Sequence, residues 1–423
     1  MDNTTLSIPY HTIMNLNQFF TTALKLQKPW HVAKVYYTEE EHLLQLSLDF
    51  DRGSRFACPE CGVECPVHDT VEKTWRHLDF FEDRAYLIVR IPRISCENHK
   101  VLQVIPPCVR PGSGFTLLFE KLALGLTKDM TVAAVGAHLR EHDTRIWRII
   151  QGYVKKAREN VDMSSVISIG CDETATRRGH DYITIFADMD ERKVLFATPG
   201  KDADTIGTFA QDFIEHGGKP KNVWSASIDM SPAFINGMTE HFPKAKITFD
   251  KFHVVKLVSE AVQETRREEQ RQSPEHYKLL KGSHFSLLKN ETNRNDKDNE
   301  RIKSITLSKL NLKTAKAWRM KETFRNVYGM KGRTGVRGLE KWCAWAIRSR
   351  LPAMECAAKT IRRHWDGVIQ YFHSSVTNAV LESINSRIQV ARSRARGYRN
   401  KSYMIDMLYL IAGKLDLPFT HSK

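Results

Sequence analysis

The chain has 423 residues, which is too long for one ordinary hydrophobic core. Its composition, with 41% hydrophobic and 27% charged residues, is typical of a globular protein. Lysine and arginine number 64 against 49 acidic residues, and this net charge of +15 favours a polyanionic partner, with a merely solvated basic surface as the alternative. No run of 18 apolar residues occurs and the first residues lack a secretory signal, so we expect no membrane span and a cytoplasmic location.

A short helix and two strands are predicted before the first cysteines. The helix is expected over Leu16–Leu26, and the strands over His31–Tyr37 and Leu43–Phe50. A further strand is predicted over residues 87–92, inside an expected hairpin. We expect these elements to belong to an N-terminal domain, residues 1–110.

Four cysteines cluster in one short region of that domain, residues 58–96, in a pattern that predicts a metal site. Cys58 and Cys61 form a C-x2-C pair, and Cys96 with His99 forms a C-x2-H pair on the far side of the hairpin. Two such pairs fit a closed tetrahedral site for structural Zn²⁺. Cys65 and His68 form a third pair, so the ligand set stays ambiguous, and reduced thiols packed as small hydrophobic groups are the alternative.

A proline- and glycine-rich linker follows, and after it three helices are predicted, over residues 115–126, 131–139 and 143–155. The short break between the second and third is typical of a helix-turn-helix, which we assign to residues 111–160. A plain three-helix spacer is the alternative. The third helix would expose three polar side chains to DNA, those of Arg145, Arg148 and Gln151.

The middle of the chain alternates strands and helices. Strands are predicted over Val166–Cys171, Tyr182–Ala187, Lys193–Thr198, Val223–Ile228 and Lys246–Phe249, with a helix over Thr205–His216. This is the order of a ribonuclease-H-like fold, in which the first and fourth strands are neighbours. The predicted fold class is therefore a multi-domain protein of α/β and α parts with such a core.

Three carboxylates are placed for catalysis in that fold. Asp172 and Asp229 each follow an apolar strand, and Glu382 lies in a helical stretch far downstream. Carboxylates at adjacent strand ends, with one from a helix, are what two Mg²⁺ ions need for phosphoryl transfer. Alternatively, Asp229 could cap a helix and Glu382 could be a solvated helix position. Asp250 with His253 is the best rival site, predicted as an accessory or substrate-positioning pair.

The long interval before Glu382 is polar and helical, and we predict a helical insertion over residues 260–362 between two parts of the catalytic core, residues 161–259 and 363–423. Its charged run Arg266–Glu269 is expected to be solvated, and its tryptophans are expected to pack a small core: Trp318, Trp342 and Trp345.

The helix of Glu382 is expected to carry Asn378, Asn385 and Gln389 on the same face, with Arg392 beyond, and to end near Gly397. A basic arm that follows Glu382 would grip phosphates. A solvated basic tail is the alternative. The predicted DNA contacts of this region are Asn385, Arg392, Arg394, Arg396 and Arg399.

Together these motifs resemble those of bacterial insertion-sequence transposases of the ISL3 family. The resemblance is carried by Gly170-Cys171-Asp172-Glu173-Thr174, the turn at Asp229-Met230-Ser231-Pro232, Asp250-Lys251-Phe252-His253-Val254, Asn378–Asn385 and Ala395–Asn400. It implies a DDE triad of Asp172, Asp229 and Glu382, and a zinc site of Cys58, Cys61, Cys96 and His99. Some family members have cysteine at the position of His99, which leaves the fourth zinc ligand open.

The function expected from this resemblance is cleavage of DNA at the element's terminal inverted repeats, followed by strand transfer into target DNA. The implied cofactors are two Mg²⁺ ions, with Mn²⁺ as a substitute, and structural Zn²⁺. The expected partner is double-stranded DNA of the bacterial nucleoid, on which the chain would assemble as a homodimer or larger oligomer. A non-catalytic DNA-binding regulator and a nuclease of the same fold without strand transfer are the alternatives.

Overall fold

A computed structural model of the chain describes residues 14–176, 182–374 and 379–418. The chain divides into two compact units, one containing the residues up to Tyr153 together with those from Asp416 onward, and the other containing Val154–Leu415. Within the described ranges, no helix combines the length and hydropathy that crossing a bilayer requires.

A twisted sheet forms the centre of the first unit. Its strands are β1 (Trp30–Thr38), β2 (Leu43–Phe50), β3 (Arg55–Ala57), β4 (Glu64–Arg76), β5 (Arg84–Cys96) and β6 (Lys100–Gln103). Their order is β1-β2-β5-β4-β3, with β6 paired to β5. Alternate residues of β2 are buried, from Leu44 to Phe50, because successive strand side chains point to opposite faces. The predicted strands and hairpin are confirmed.

Four helices accompany this sheet: α1 (Leu16–Ala23), α2 (Leu117–Thr127), α3 (Val132–His138) and α4 (Asp143–Glu159). The hydroxyl groups of Thr116 and Thr131 accept backbone N–H bonds and begin α2 and α3. A side chain at Gly136 would place its Cβ 2.7 Å from the carbonyl oxygen of Glu141. Glycine therefore permits the tight turn between α3 and α4, and the three predicted helices are confirmed.

A five-stranded sheet organises the second unit. Its elements are β7 (Ser168–Ala175), β8 (Tyr182–Asp188), β9 (Lys193–Pro199), α5 (Ala203–Glu215), β10 (Ser225–Ile228), α6 (Pro232–His241) and β11 (Lys246–Phe249). The order is β11-β10-β7-β8-β9, with β8 antiparallel to its neighbours and β10 parallel to β7 and β11. The first and fourth strands of this unit are thus neighbours, as the sequence predicts.

Helices occupy the interval between this sheet and the helix of Glu382, as predicted. They are α7 (Lys251–Gln270), α8 (Pro274–Leu280), α9 (His284–Leu288), α10 (Asp296–Thr306), α11 (Lys313–Tyr328), α12 (Gly332–Ile347), α13 (Pro352–Arg363) and α14 (Trp365–Ser374). Their apolar side chains do not form a separate core. Val258, Phe324 and Trp342 belong to the same buried cluster as the sheet residues Ile169 and Ile228.

Two details of this helical region differ from the sequence-based expectations. We expected Glu269 to be solvated with its charged neighbours, but it is 3% exposed. Its carboxylate accepts the backbone N–H groups of Lys313 and Thr314 at 2.7 and 2.8 Å, so it caps the start of α11. Trp345, predicted to be packed, is 36% exposed, because it lies at the edge of the buried stripe of α12, one turn after the buried Trp342.

The chain continues with α15 (Ala379–Arg394) and α16 (Lys401–Ala412). Helix α15 ends at Arg394, and Arg396 and Gly397 then adopt positive φ angles of 53° and 96°. The predicted end of this helix near Gly397 is therefore confirmed. The hydroxyl group of Tyr409 on α16 accepts the backbone N–H of Ala197 at 3.1 Å, which fixes α16 against β9.

Candidate active site and zinc site

Three aspartates lie level with one another on adjacent parallel strands. Asp172 lies within β7, whereas Asp229 and Asp250 directly follow β10 and β11. Ile228 of β10 is paired with Phe249 of β11, and the next residues are Asp229 and Asp250. On the other side, β10 pairs with β7 in a register that continues to place Asp172 level with Asp229. Since neighbouring strands are about 4.8 Å apart, the three residues form one row across β7, β10 and β11.

Each aspartate is oriented by a backbone N–H group that follows it. Oδ1 of Asp172 accepts the N–H of Glu173 at 2.8 Å, and Oδ1 of Asp229 accepts that of Ser231 at 2.8 Å. Oδ1 of Asp250 likewise accepts an N–H at 3.0 Å, at the start of α7. These bonds orient the carboxylates. The helix-capping role considered for Asp229 is not observed, because Ser231 is the N-cap of α6 and, among the described residues, the Asp229 carboxylate accepts only the N–H of Ser231 through Oδ1. The other oxygen of Asp229 remains for a ligand.

The row carries a concentration of negative charge. Burial is the largest cause that raises the pKa of Asp172 to about 6, and the charges of Asp250 and Asp229 act in the same direction. The Glu173 N–H and the imidazole of His253 oppose that rise. Burial and Asp229 also raise the pKa of Glu173. Clustered carboxylate oxygens whose charges repel one another fit a hard divalent cation such as Mg²⁺.

Helix α15 runs along β7 and forms three hydrogen bonds with it. These are Asn385 Nδ2–H to Asp172 Oδ2 at 2.6 Å, Gln389 Nε2–H to Thr174 Oγ1 at 3.3 Å, and Arg392 Nη1–H to the Ala175 carbonyl at 2.6 Å. The sequence predicted one polar face containing Asn385, Gln389 and Arg392, and these bonds confirm it. Asn378, predicted on that face, lies outside the described residues.

The close approach of α15 to β7 depends on Gly170. A Cβ at this position would lie 2.9 Å from Cδ1 of Leu381 and 2.3 Å from Sδ of Met189. From Leu381 to Asn385 the helix rises about 6 Å, and from Gly170 to Asp172 the strand rises about 6.6 Å. Because these distances are similar, Leu381 lies beside Gly170 and Asn385 lies beside Asp172. Glu382 follows Leu381 and lies one turn before Asn385, with an exposed carboxylate. The structure thus connects the helix of Glu382 to the aspartate row through Asn385.

A second cluster of ligand atoms lies in the first unit. One ligand atom each from Cys58, Cys61, Cys96 and His99 lies within 4.8 Å of the others. Burial raises the pKa of the Cys96 thiol, but backbone N–H groups and the thiols of Cys58 and Cys61 together lower it to about 7, which favours the thiolate that binds metal.

The rival pair is placed differently. The thiol of Cys65 donates to the Val63 carbonyl at 3.3 Å, and Nδ1 of His68 lies 3.5 Å from Asp69. Neither belongs to the four-residue group that the described chain brings together.

The three side chains of α4 that were predicted to contact DNA are only partly accessible. Arg148 is exposed, and Gln151 is half-buried. Arg145 forms an ion pair with Glu141, and its guanidinium lies 4.2 Å from the ring centroid of Phe115. Arg145 therefore also stabilises the turn between α3 and α4.

Comparison with known families identifies the chain. A family model described as transposase, of the ISL3 type, matches residues 169–408, more than half of the chain. The chain belongs to the ISL3 transposase family. A second family model, described as the zinc finger of transposases IS204, IS1001, IS1096 and IS1165, matches residues 54–99. A third, described as the helix-turn-helix domain of transposase family ISL3, matches residues 104–154. The resemblance inferred from the sequence is confirmed.

Relatives with assigned names support the same conclusion. The chain is 26% identical over 394 residues to the transposase for insertion sequence element IS1557 of Mycobacterium tuberculosis, covering 86% of this chain and 88% of the relative. It is 26% identical over 362 residues to the transposase for insertion sequence element IS1001 of Bordetella parapertussis, covering 82% of this chain and 86% of the relative.

The family explains two features of the sequence. An ISL3 transposase acts on DNA, which accounts for the basic composition of the chain. The zinc-finger match contains all four clustered ligands and supports a structural zinc ion.

Proposed function

We propose that this transposase cuts DNA at the terminal inverted repeats of its element and joins the freed ends to target DNA, using Asp172, Asp229 and Glu382. The observation that carries the proposal is the row of aspartates on three adjacent parallel strands, to which the helix of Glu382 is hydrogen-bonded. The strand order of the second unit agrees with the ribonuclease-H-like fold expected of such a site.

Asp172, Asp229 and Glu382 would hold two Mg²⁺ ions, or Mn²⁺ in their place, since clustered carboxylate oxygens suit such cations. When bound, the ions supply Lewis acidity and orientation for in-line displacement at phosphorus. The side chains have complementary tasks. The two aspartates fix the position of the reacting phosphate relative to the sheet, and Glu382 approaches it from α15. Asp250 and His253 lie beside this position and would orient the DNA strand.

The reaction requires two displacements at phosphorus. In the first, water attacks the phosphodiester at the element's end, the bond from phosphorus to the 3′ oxygen breaks, and a 3′-OH is released. In the second, that 3′-OH attacks a target phosphodiester and expels another 3′ oxygen. Because two element ends must be joined, we expect a homodimer or larger assembly on nucleoid DNA.

The first unit would select the DNA. Zn²⁺ bound by Cys58, Cys61, Cys96 and His99 would stabilise the end of the β4–β5 hairpin. The helix-turn-helix would bind the terminal repeats through α4, on which Arg148 is an exposed cation with Gln151 beside it.

One experiment separates this proposal from its alternatives. The purified chain is incubated with Mg²⁺, a labelled oligonucleotide containing an element end, and a target plasmid. Cleavage and joining are expected. Cleavage without joining would indicate a nuclease, and tight binding without either would indicate a regulator.

The basic arm gives a further prediction. Arg394, Arg396 and Arg399 are exposed, whereas Arg392 is bonded to β7. Changing the three exposed arginines to glutamine should weaken binding equally for end and non-end DNA, because interactions with phosphates carry no sequence information. The slope of log K against log salt should fall by about 0.9 for each phosphate that is no longer neutralised.

Binding is measured by fluorescence anisotropy over a salt series. The control is Lys359→Gln, which removes an exposed cation paired with Glu355 on α13. A salt slope in the triple variant equal to that of the wild type would show that these arginines do not touch the DNA backbone.

A further inference from the structure

The amide of Asn385 is the direct link between α15 and the carboxylate row. Its Nδ2–H donates to Asp172 Oδ2 at 2.6 Å, while Asp172 Oδ1 accepts the N–H of Glu173 at 2.8 Å. Each carboxylate oxygen therefore has one donor, and the plane of the carboxylate is fixed from two sides. An ionised carboxylate only accepts hydrogen bonds, so the N–H side of the amide faces it.

The other end of the same amide is unsatisfied. Oδ1 of Asn385 is buried and has no hydrogen-bond partner within the described part of the chain. A buried acceptor without a donor costs about 1–3 kcal/mol, and such groups in native proteins call for an explanation. Leu381, one turn earlier on α15, packs against β7 with an apolar side chain, so packing alone does not require an amide at position 385.

Resting on the proposed function, we infer that Asn385 is a positioning residue of the cation site. Its N–H holds Asp172 in the orientation for binding a divalent cation. Its Oδ1 stays buried without a donor among the described residues because the N–H side of the amide faces the carboxylate, so the hydrogen bond to Asp172 is kept despite an unfavourable contribution to stability. Groups that orient metal ligands in this way typically affect metal affinity or activity about 10–100-fold.

Gln389 provides a matched control for a merely structural role. It lies one turn after Asn385 and also ties α15 to β7, but its partner is the hydroxyl group of Thr174 at 3.3 Å rather than a carboxylate. If both amides only attach α15 to β7, removing either one should change stability and metal binding to a similar extent. If Asn385 positions a metal ligand, only its removal should alter metal binding.

The test measures Mn²⁺ binding by the full chain without DNA, using calorimetry, for the wild type, Asn385→Leu and Gln389→Ala. Asn385→Leu retains the branched shape of the side chain and removes both polar atoms. We expect it to raise the Kd for Mn²⁺ by about 10–100-fold and to raise the Mg²⁺ concentration for half-maximal cleavage similarly. Gln389→Ala should leave both values within about twofold of the wild type. Asn385→Ala, which only removes atoms, replaces the leucine variant if that variant does not fold.

Unchanged Mn²⁺ affinity in the Asn385 variant would overturn the inference. Equal weakening in the Asn385 and Gln389 variants, with equal losses of thermal stability, would also overturn it and leave only a structural tie. The proposed function can fail separately. If the wild-type chain binds Mn²⁺ in a manner dependent on Asp172 and Asn385 but joins no DNA, the positioning role stands and the transposition mechanism does not.

Discussion

DNA cleavage should fall by about a thousand-fold or more when Asp172 or Asp229 is changed to asparagine, or Glu382 to glutamine. Each substitution retains the shape of the side chain and removes a charge that would hold a cation. Loss of about 4 kcal/mol of transition-state stabilisation corresponds to this decrease in rate. Binding of element-end DNA should remain within a few-fold of the wild type, because the zinc and helix-turn-helix domains retain their sequence.

Cleavage is measured by single-turnover kinetics in Mg²⁺, and binding by anisotropy with the same oligonucleotide. Asp190→Asn is the matched control, since Asp190 is an exposed carboxylate in the turn after β8. Near wild-type cleavage by a variant of Asp172, Asp229 or Glu382 would remove that residue from the triad.

Asp250→Asn tests the rival site formed by Asp250 and His253. We expect this variant to lose less cleavage activity than the triad variants, because Asp250 is proposed only to orient the substrate strand.

The elements of the second unit could be predicted because local sequence determines them. A buried strand in a sheet covered on both faces consists of nearly continuous apolar residues, and the first polar residue marks its end. Asp172 and Asp229 were identified in this way. The predicted end of the first strand at Cys171 is wrong, however, because residues 172–175 continue β7 by pairing with β8. The pairing of β7 with β10 followed from the order of elements, and the observed register places the two aspartates level with each other.

Features that depend on distant parts of the chain could not be predicted. The role of Asn385 requires α15 to lie within hydrogen-bonding distance of β7, more than two hundred residues earlier in the chain. Helical periodicity identified the polar face but not its partner. Glu269 illustrates the same limit. An acidic side chain close to two arginines in the sequence is typical of a solvated helix face. Only the tertiary structure, in which the start of α11 lies against Glu269, shows that this side chain caps a helix.

Removal of zinc should have the largest effect on stability. We expect purified protein to contain about one tightly bound Zn²⁺ per chain, because the four-residue group forms one closed site. Replacing Cys58 and Cys61 with serine should abolish zinc binding and unfold the β3–β6 region. Apparent binding energies of structural zinc are about 10–16 kcal/mol, and in small zinc domains this energy is folding energy. The metal content is measured by mass spectrometry, and folding by near-ultraviolet circular dichroism and limited proteolysis.

Cys65→Ser distinguishes a metal ligand from a buried thiol in the same region. Cys65 is buried on β4, and its thiol bonds to the Val63 carbonyl, so serine should reduce stability modestly and leave zinc content at about one per chain. Substituting His99 with alanine should instead release the metal, because three thiolates alone leave the tetrahedral site open. If Cys65→Ser lost zinc and His99→Ala retained it, the fourth ligand would be Cys65. A well-folded wild-type preparation without zinc would show that the cysteines are packed thiols, and the first unit would then depend on its apolar core alone.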